Sequence, residues 1–400
     1  MSQPPGFEDG AGSVCKLLRC IYGLRQSSAR FAEKVRDTIM ALPDVLPGVT
    51  VTQSNADECL YTVRRGSDFI RVLVFVDDFC VTTNSDSLYD DVYGSMGSVF
   101  KMTDYDGAEV SHYLGIAVTR YGDDIHLSQE AYIDELLERL DLETAKDASS
   151  PEAPGSRAKL SPREGNLSEA EAAFMATVPY KSSVGALFYI ARATRPDIVH
   201  AVGQVARFMQ NPAPEHWEAL LRIYRYLKRT KSSPLVMRGD GSTTCAGFSD
   251  SDWAGDRSTS KSHTGWLVLM GRSPVAWYSK AQTCIAQSSC EAEYVAAASL
   301  SNELVWWRTL RADMGLKDSG PLTIHCDNQS AGVLAQHAGK FEATKHILLK
   351  YHVLRARQRD GEVVVRWCPA SAQLADILTK NAAISHFLRI ASQILGTDMR

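Results

Sequence analysis

Four acidic residues in the last third of the chain, Asp250, Glu293, Asp327 and Asp376, each fall at the edge of a predicted regular element. Asp250 closes the strand-like run Thr243-Thr-Cys-Ala-Gly-Phe-Ser249, and Glu293 stands at the head of a long amphipathic helix. Asp327 follows the apolar Leu322-Thr-Ile-His-Cys326, and Asp376 opens the last helix. Hard cations such as Mg²⁺ take carboxylate oxygens, and phosphodiester hydrolysis uses two of them about 4 Å apart, one activating water and one steadying the leaving oxygen. A quartet of carboxylates therefore points to a two-metal centre. Singly, each acid has an ordinary structural use: a turn former at 250, an exposed helical charge at 293, a helix N-cap at 327, a first-turn dipole partner at 376. Separations of 43, 34 and 49 residues put one or two elements between neighbours, so the joint placement is what argues for a site. A second acidic pair, Asp77 and Asp78, interrupts the apolar runs Val72-Leu-Val-Phe-Val76 and Phe79-Cys-Val-Thr-Thr83. A polar turn is the plain alternative there.

The elements that must position the quartet alternate in type. Strands are expected near 243–250, 264–270 and 274–279, then helix 290–314, strand 321–326, helices 328–337 and 344–359, strand 362–368 and helix 373–395. Three antiparallel strands followed by this alternation make a mixed sheet with helices on its faces, an order that fits an RNase H-like fold. Upstream, the pattern predicts a helix at 27–40, a hairpin across 58–83 and a helix near 86–100. A hairpin at Tyr121-Gly-Asp-Asp124 and a helix at 129–140 follow. Residues 148–168, rich in Pro and Gly without apolar periodicity, read as an exposed linker. Helices 180–193, 198–210 and 214–230 come next. The division expected is 1–147, 148–238 and 239–400, the last piece folding alone.

A 400-residue chain with 44% hydrophobic and 22% charged residues has the composition of a globular protein of two or three domains. The net charge of −4 does not mark a dedicated nucleic-acid-binding module. Nine cysteines without Cys-x-x-Cys spacing suggest free thiols in a reduced, intracellular compartment. No apolar run approaches the roughly 20 residues of a membrane span. Helix 214–230 interleaves Arg222, Arg225, Lys228 and Arg229, with Lys231 following, among Trp217, Tyr224 and Tyr226. Such a face could track a phosphate backbone, or could be a solvated side over a packed one.

Several segments carry a family resemblance: Gly247-Phe-Ser-Asp-Ser-Asp-Trp-Ala-Gly-Asp256, Ser288-Ser-Cys-Glu-Ala-Glu-Tyr294, His325-Cys-Asp-Asn-Gln-Ser-Ala331 and Ala375-Asp-Ile-Leu-Thr-Lys380. Upstream, Gln3-Pro-Pro-Gly-Phe7, Tyr22-Gly-Leu-Arg-Gln26, Phe75-Val-Asp-Asp78, Tyr113-Leu-Gly115, Tyr180-Lys-Ser-Ser-Val-Gly185 and Thr194-Arg-Pro-Asp-Ile198 continue it in order. Together they resemble the Pol polyproteins of copia-type LTR retrotransposons over nearly the whole chain. The resemblance implies a mixed α/β and α+β architecture: a partial reverse transcriptase palm, thumb and connection, followed by an RNase H-like mixed-sheet domain. It implies that Asp250, Glu293, Asp327 and Asp376 hold two Mg²⁺ ions, with Mn²⁺ as a substitute, and that the substrate is the RNA strand of an RNA–DNA hybrid. Asp252 and Glu291 are then supporting or surface groups.

Asp77 and Asp78 resemble the polymerase metal ligands. In the family a third carboxylate comes from a strand just before Gln3-Pro-Pro-Gly-Phe7, so no templated synthesis is expected from this chain alone. Lys345 and His346 match a family motif, but Phe341-Glu-Ala-Thr-Lys-His-Ile-Leu348 lacks the family's neighbouring basic and acidic groups, which bears on substrate grip rather than metal binding. The expected setting is cytoplasmic, inside a virus-like particle for an active element, or nuclear. The other class open to these residues is a catalytically inactive or domesticated relic that folds and binds nucleic acid.

Overall fold

The structure, a computed structural model, describes the chain apart from residues 19–20, 22, 105–109, 155–159, 164, 257, 317–319, 337–348 and 400. It separates into two compact units, Met1–Tyr105 with Thr309–Gly315, and Asp106–Arg308 with Leu316–Arg400. These limits differ from the expected three-part division.

In the first unit, α1 (Ser27–Met40) and the short α2 (Leu42–Val45) precede an antiparallel meander of β1 (Thr50–Gln53), β2 (Leu60–Arg65), β3 (Asp68–Phe75) and β4 (Asp78–Thr83), and α3 (Asp86–Gly97) follows. Val35 and Ile39 of α1 and Leu88, Val92 and Met96 of α3 pack on Val63, Ile70 and Val72 of the sheet. Val14 makes a single antiparallel bridge to Ser2.

In the second unit, β5 (His112–Tyr113), β6 (Ile116–Tyr121) and β7 (Asp124–Ser128) lead to α4 (Glu130–Arg139), α5 (Glu169–Thr177), α6 (Tyr180–Ala193), α7 (Val199–Ala206) and α8 (Pro214–Thr230). β8 (Leu235–Met237) then pairs with β7. The Thr194-Arg-Pro-Asp-Ile198 motif has a structural role here. The fully buried Arg195 forks onto Asp197 at 2.7 and 2.9 Å and also donates to Thr230, while Tyr226 donates to Asp197 at 2.7 Å. The turn before α7 is thereby tied to α8. Residues expected to be an exposed linker are partly anchored: Ala148 donates to the Arg225 carbonyl, and Pro151 and Ser150 are buried.

The sheet that carries the quartet is built from β9 (Cys245–Asp256), β10 (Lys261–Met270), β11 (Ser273–Ala281), β12 (Leu322–Cys326) and β13 (Val363–Trp367), in the order β11-β10-β9-β12-β13. The first three are antiparallel, and β12 runs parallel to both β9 and β13. With α9 (Ser289–Asp313), α10 (Gln329–Gln336), α11 (Val353–Arg359) and α12 (Ile384–Leu395) around it, this is the RNase H-like arrangement the element order implied. Side chains alternate across a strand, so β10 serves two cores. Trp266 and Val268 join Tyr294, Leu300 and Leu304 of α9, whereas Leu267 joins α6, α7, α8 and α12. One face of the sheet is therefore covered by helices that lie before residue 239. α12 contributes Phe387, Ile390, Ala391, Ile394 and Leu395, one stripe at helical spacing. No helix among the described residues is long and apolar enough to cross a membrane. The eight cysteines described are free thiols.

Candidate active site

The quartet converges at one end of this sheet, by routes the linear pattern predicted only in part. β9 does not end at Asp250. The strand continues to Asp256 because Ser251, Asp252 and Asp256 pair with β10, and Asp250 itself stands opposite Gly265. Parallel pairing sets Thr323 opposite Ala246 and His325 opposite Phe248. Carried two residues further, that register puts Asp327 level with Asp250. Glu293, in the second turn of α9, reaches the same strand end, where its Oε1 accepts from the Ser251 amide at 3.1 Å. Cys326 Sγ lies 3.6 Å from its Oε2, and donor atoms of Glu293, Cys326 and Asp327 all fall within 4.8 Å of one another.

Asp376 does not open the last helix. It begins a one-turn 3₁₀ segment, Asp376–Leu378, and α12 starts only at Ile384. Ala375, Ile377 and Leu378 are buried in the core, and the following Asn381 donates its amide to the Ala153 carbonyl at 2.6 Å. The chain is thus pinned as a loop where a continuous helix was expected. That loop and the first turn of α12 supply three further groups. Thr379 donates its hydroxyl to Asp250 Oδ2, Lys380 Nζ lies 2.5 Å from Asp376 Oδ1 and 3.9 Å from Asp250 Oδ2, and His386 Nε2, from α12, lies 3.0 Å from Asp376 Oδ2. The residue-type reading weighed only the acids. Thr379 and Lys380 were visible in the Ala375-Asp-Ile-Leu-Thr-Lys380 motif, but nothing in spacing alone distinguished them.

Asp250, Glu293 and Asp376 are buried and Asp327 is partly so. Burial disfavours a charged carboxylate, and neighbouring carboxylates add to the effect. Asp250 is pushed up to about 6 by burial, held back by the Lys380 ammonium and raised again by Asp376. Burial, with the charges of Asp250 and Asp327, drives Glu293 well above the usual range, and Asp327 is raised mainly by burial. Burial lowers Lys380, but Asp250 and Asp376 more than offset it. Three acids made costly to ionise by burial and by neighbouring carboxylates are a donor set that a hard divalent cation would relieve.

The neighbouring acids serve other ends. Glu291 Oε2 accepts from the Gln287 amide while Ser288 Oγ accepts from the Glu291 amide, a reciprocal cap at the start of α9. Asp256 takes Arg207, Ser258 and Thr259. Asn328, not Asp327, caps α10, accepting from the Ala331 amide at 3.1 Å. Asp252 lines a cleft of about 1010 Å³ together with Arg207, Lys261, Lys280, Thr379 and Lys380.

Asp77 and Asp78 sit at a two-residue hairpin turn, with Phe75 paired to Asp78 and Val76 at φ 55°. A β-branched residue in the left-handed region is strained, as turns at functional sites often are. Among the described residues, no third ligating side chain joins this pair. On α8 the three aromatics are core residues: Trp217, Tyr224 and Tyr226 are buried, and Tyr224 donates to the Ser183 carbonyl. Lys228 pairs with Asp147 and Lys231 with Asp134. The aromatic side is therefore turned inward, and the exposed positions of this helix are Glu215, Glu218 and Arg229. Lys345 and His346 lie outside the described residues.

Residues 1–154 match the family described as reverse transcriptase (RNA-dependent DNA polymerase). Over 396 residues the chain is 35% identical to the Retrovirus-related Pol polyprotein from transposon RE1 of Arabidopsis thaliana, covering 98% of this chain and 26% of that protein. It is 36% identical over 399 residues to the corresponding polyprotein from transposon TNT 1-94 of Nicotiana tabacum, covering 99% and 29%. The chain thus spans about a quarter of the length of these relatives. Among solved structures, the N-terminal RNase H domain of a Mycobacterium tuberculosis protein aligns at 14% identity and a TM-score of 0.25, covering 38% of this chain and 98% of that one.

Proposed function

The chain belongs to the Pol polyproteins of copia-type retrotransposons, and from that premise we propose that it is a ribonuclease H, hydrolysing the RNA strand of RNA–DNA hybrids with Mg²⁺. The observation that carries this reading is the convergence of Asp250, Glu293, Asp327 and Asp376 at one sheet end, with three of them pushed toward protonation unless a cation is supplied. Asp250, Glu293, Asp327 and Asp376 are the residues that would hold two Mg²⁺ or Mn²⁺ ions. Held there, the ions would supply Lewis-acid activation of water and charge stabilisation at the departing 3′-oxygen.

The protein's own contribution is placement. Asp250, on the central strand, is oriented by the Thr379 hydroxyl, Glu293 by the Ser251 amide, and Asp376 by Lys380 and His386. The adjoining cleft offers Arg207, Lys261, Lys280 and Lys380 to a phosphate backbone. Choice of the RNA strand rests on its 2′-hydroxyls, exposed in the wide minor groove of an A-like duplex. The reverse-transcriptase-like portion carries Asp77 and Asp78 as a pair of polymerase metal ligands.

The test is cleavage of a hybrid with labelled RNA, with Mg²⁺, with Mn²⁺ and with neither. Asp327→Asn is expected to abolish cutting while leaving the melting curve intact. Full activity in that variant would remove Asp327 from the centre, and cutting without divalent ions would end the two-metal reading.

A further inference from the structure

The Ala375-Asp-Ile-Leu-Thr-Lys380 motif contains a cation whose nearest partners are the quartet's own carboxylates: the Lys380 ammonium. It lies 2.5 Å from Asp376 Oδ1 and 3.9 Å from Asp250 Oδ2, between two carboxylates of the quartet, with its side chain 28% exposed. Thr379 also donates to Asp250 Oδ2, and His386 Nε2 lies 3.0 Å from Asp376 Oδ2. At the Glu293 and Asp327 end, no ion pair is made among the described residues; the nearest polar contacts are the Ser251 amide and the Cys326 thiol. The ion-pair contacts of the quartet, among the described residues, are therefore all on the Asp250 and Asp376 side.

We propose that Lys380 is a resident counter-cation of the site, occupying a position that a divalent ion takes, so that this ion loads only by displacing the ammonium. The proposal rests on the reading of the quartet as a metal centre and adds to it a gate on metal loading. Two physical points support it. A divalent ion within the 2.0–2.1 Å of Asp376 or Asp250 oxygens that Mg²⁺ requires would sit close to an ammonium already 2.5 Å from one of them, and the repulsion between the two cations favours moving the ammonium away. Lysine carries a point charge on a flexible four-carbon stem, and Lys380 lines the open cleft that also holds Asp252 and Lys280, which gives the side chain a polar place to go. It follows that the two ions load unequally. The Glu293 and Asp327 end accepts an ion first, and the Asp376 end fills as the weaker step, at a metal concentration that Lys380 sets.

The experiment is calorimetric titration of the full chain with Mg²⁺, without nucleic acid, comparing wild type with Lys380→Met, which keeps the stem and removes the charge. Removing a charge-assisted contact that competes with the ion is expected to tighten the weaker step by about tenfold or more. Lys380→Arg, which keeps a cation at this position, should stay close to wild type. In metal-free buffer Lys380→Met should also melt below wild type, and Mg²⁺ should raise its melting temperature by more. If Lys380→Met fails to fold, Lys380→Gln is titrated in its place. Metal binding by the wild type with equal or weaker binding by the neutral variant would overturn the displacement proposal while leaving the metal centre intact. Binding by neither protein would overturn both.

Discussion

Gly265 offers a test of how the quartet is held, because it stands opposite Asp250 on the neighbouring strand. A Cβ at this position would meet Thr379 Cγ2 at 2.6 Å, Leu378 Cβ at 2.9 Å and the Leu378 backbone carbon at 3.0 Å. Carbon atoms pack at about 3.5–4.0 Å, so Gly265→Ala must push the turn that carries Asp376, Thr379 and Lys380 back by roughly 0.5–1 Å. Leu378 is fully buried, and overpacking of this kind costs about 1–3 kcal/mol. At about 2–4 °C per kcal/mol for domains of 150–250 residues, the melting temperature should fall by roughly 2–12 °C. The rate should fall further than stability suggests, by on the order of 100-fold, because a displacement of about 1 Å in a positioned catalytic group has that effect. Gly247→Ala is the control. The nearest atoms to its Cβ belong to the side chain of Leu300, the closest at 2.7 Å, on the opposite face of the same sheet, so it should lose stability without a comparable loss of rate. The assays are thermal unfolding and cleavage of a labelled hybrid at saturating Mg²⁺. Wild-type activity in Gly265→Ala, or equal rate losses in the two variants, would refute the claim that this turn positions the site.

Two further outcomes are expected. Asp250 sits at about 6 in the folded chain against about 3.9 unfolded, so its contribution to metal-free stability is present below pH 4 and is lost as pH rises through 6, by about 3 kcal/mol. Buried histidines such as His263 and His216 are lowered and act in the opposite sense. They cancel when wild type and Asp250→Asn are compared, so denaturant melts in EDTA should show the variant gaining on wild type between pH 4 and 7; a constant difference would contradict the burial of an ionised Asp250. A fragment of residues 239–400 should give no cooperative melt, because Leu267, Phe387, Ile390 and Ile394 lose α6, α7 and α8 as partners, whereas residues 106–400 should melt cooperatively. A sharp transition in the shorter fragment would show that the core around Tyr294 and Leu300 suffices.

Much of the architecture was legible in the linear pattern because helices and strands carry their own periodicity. Helices 27–40, 180–193 and 214–230 were bounded to the residue by their apolar spacing and flanking breaks, and the order of elements from 243 onward implied the mixed sheet. The quartet was legible for a related reason, since acids at strand ends and helix heads stand out against apolar runs. What only tertiary structure decided was set by partners distant in sequence. Asp250 lies inside β9 because β10 continues to pair beyond it, and a strand's end is fixed by its neighbour as much as by its own residues. Asp376 lies in a 3₁₀ turn because Asn381 is held by Ala153 and Leu378 is buried, contacts that no local spacing encodes. The aromatics of α8 read equally well as stacking platforms or as core until the buried Arg195–Asp197 pair and α12 closed over Tyr226. Lys380 became part of the site only when a turn some 130 residues downstream of Asp250 folded back onto it, because the attraction between an ammonium and two carboxylates depends on their separation in space and not along the chain.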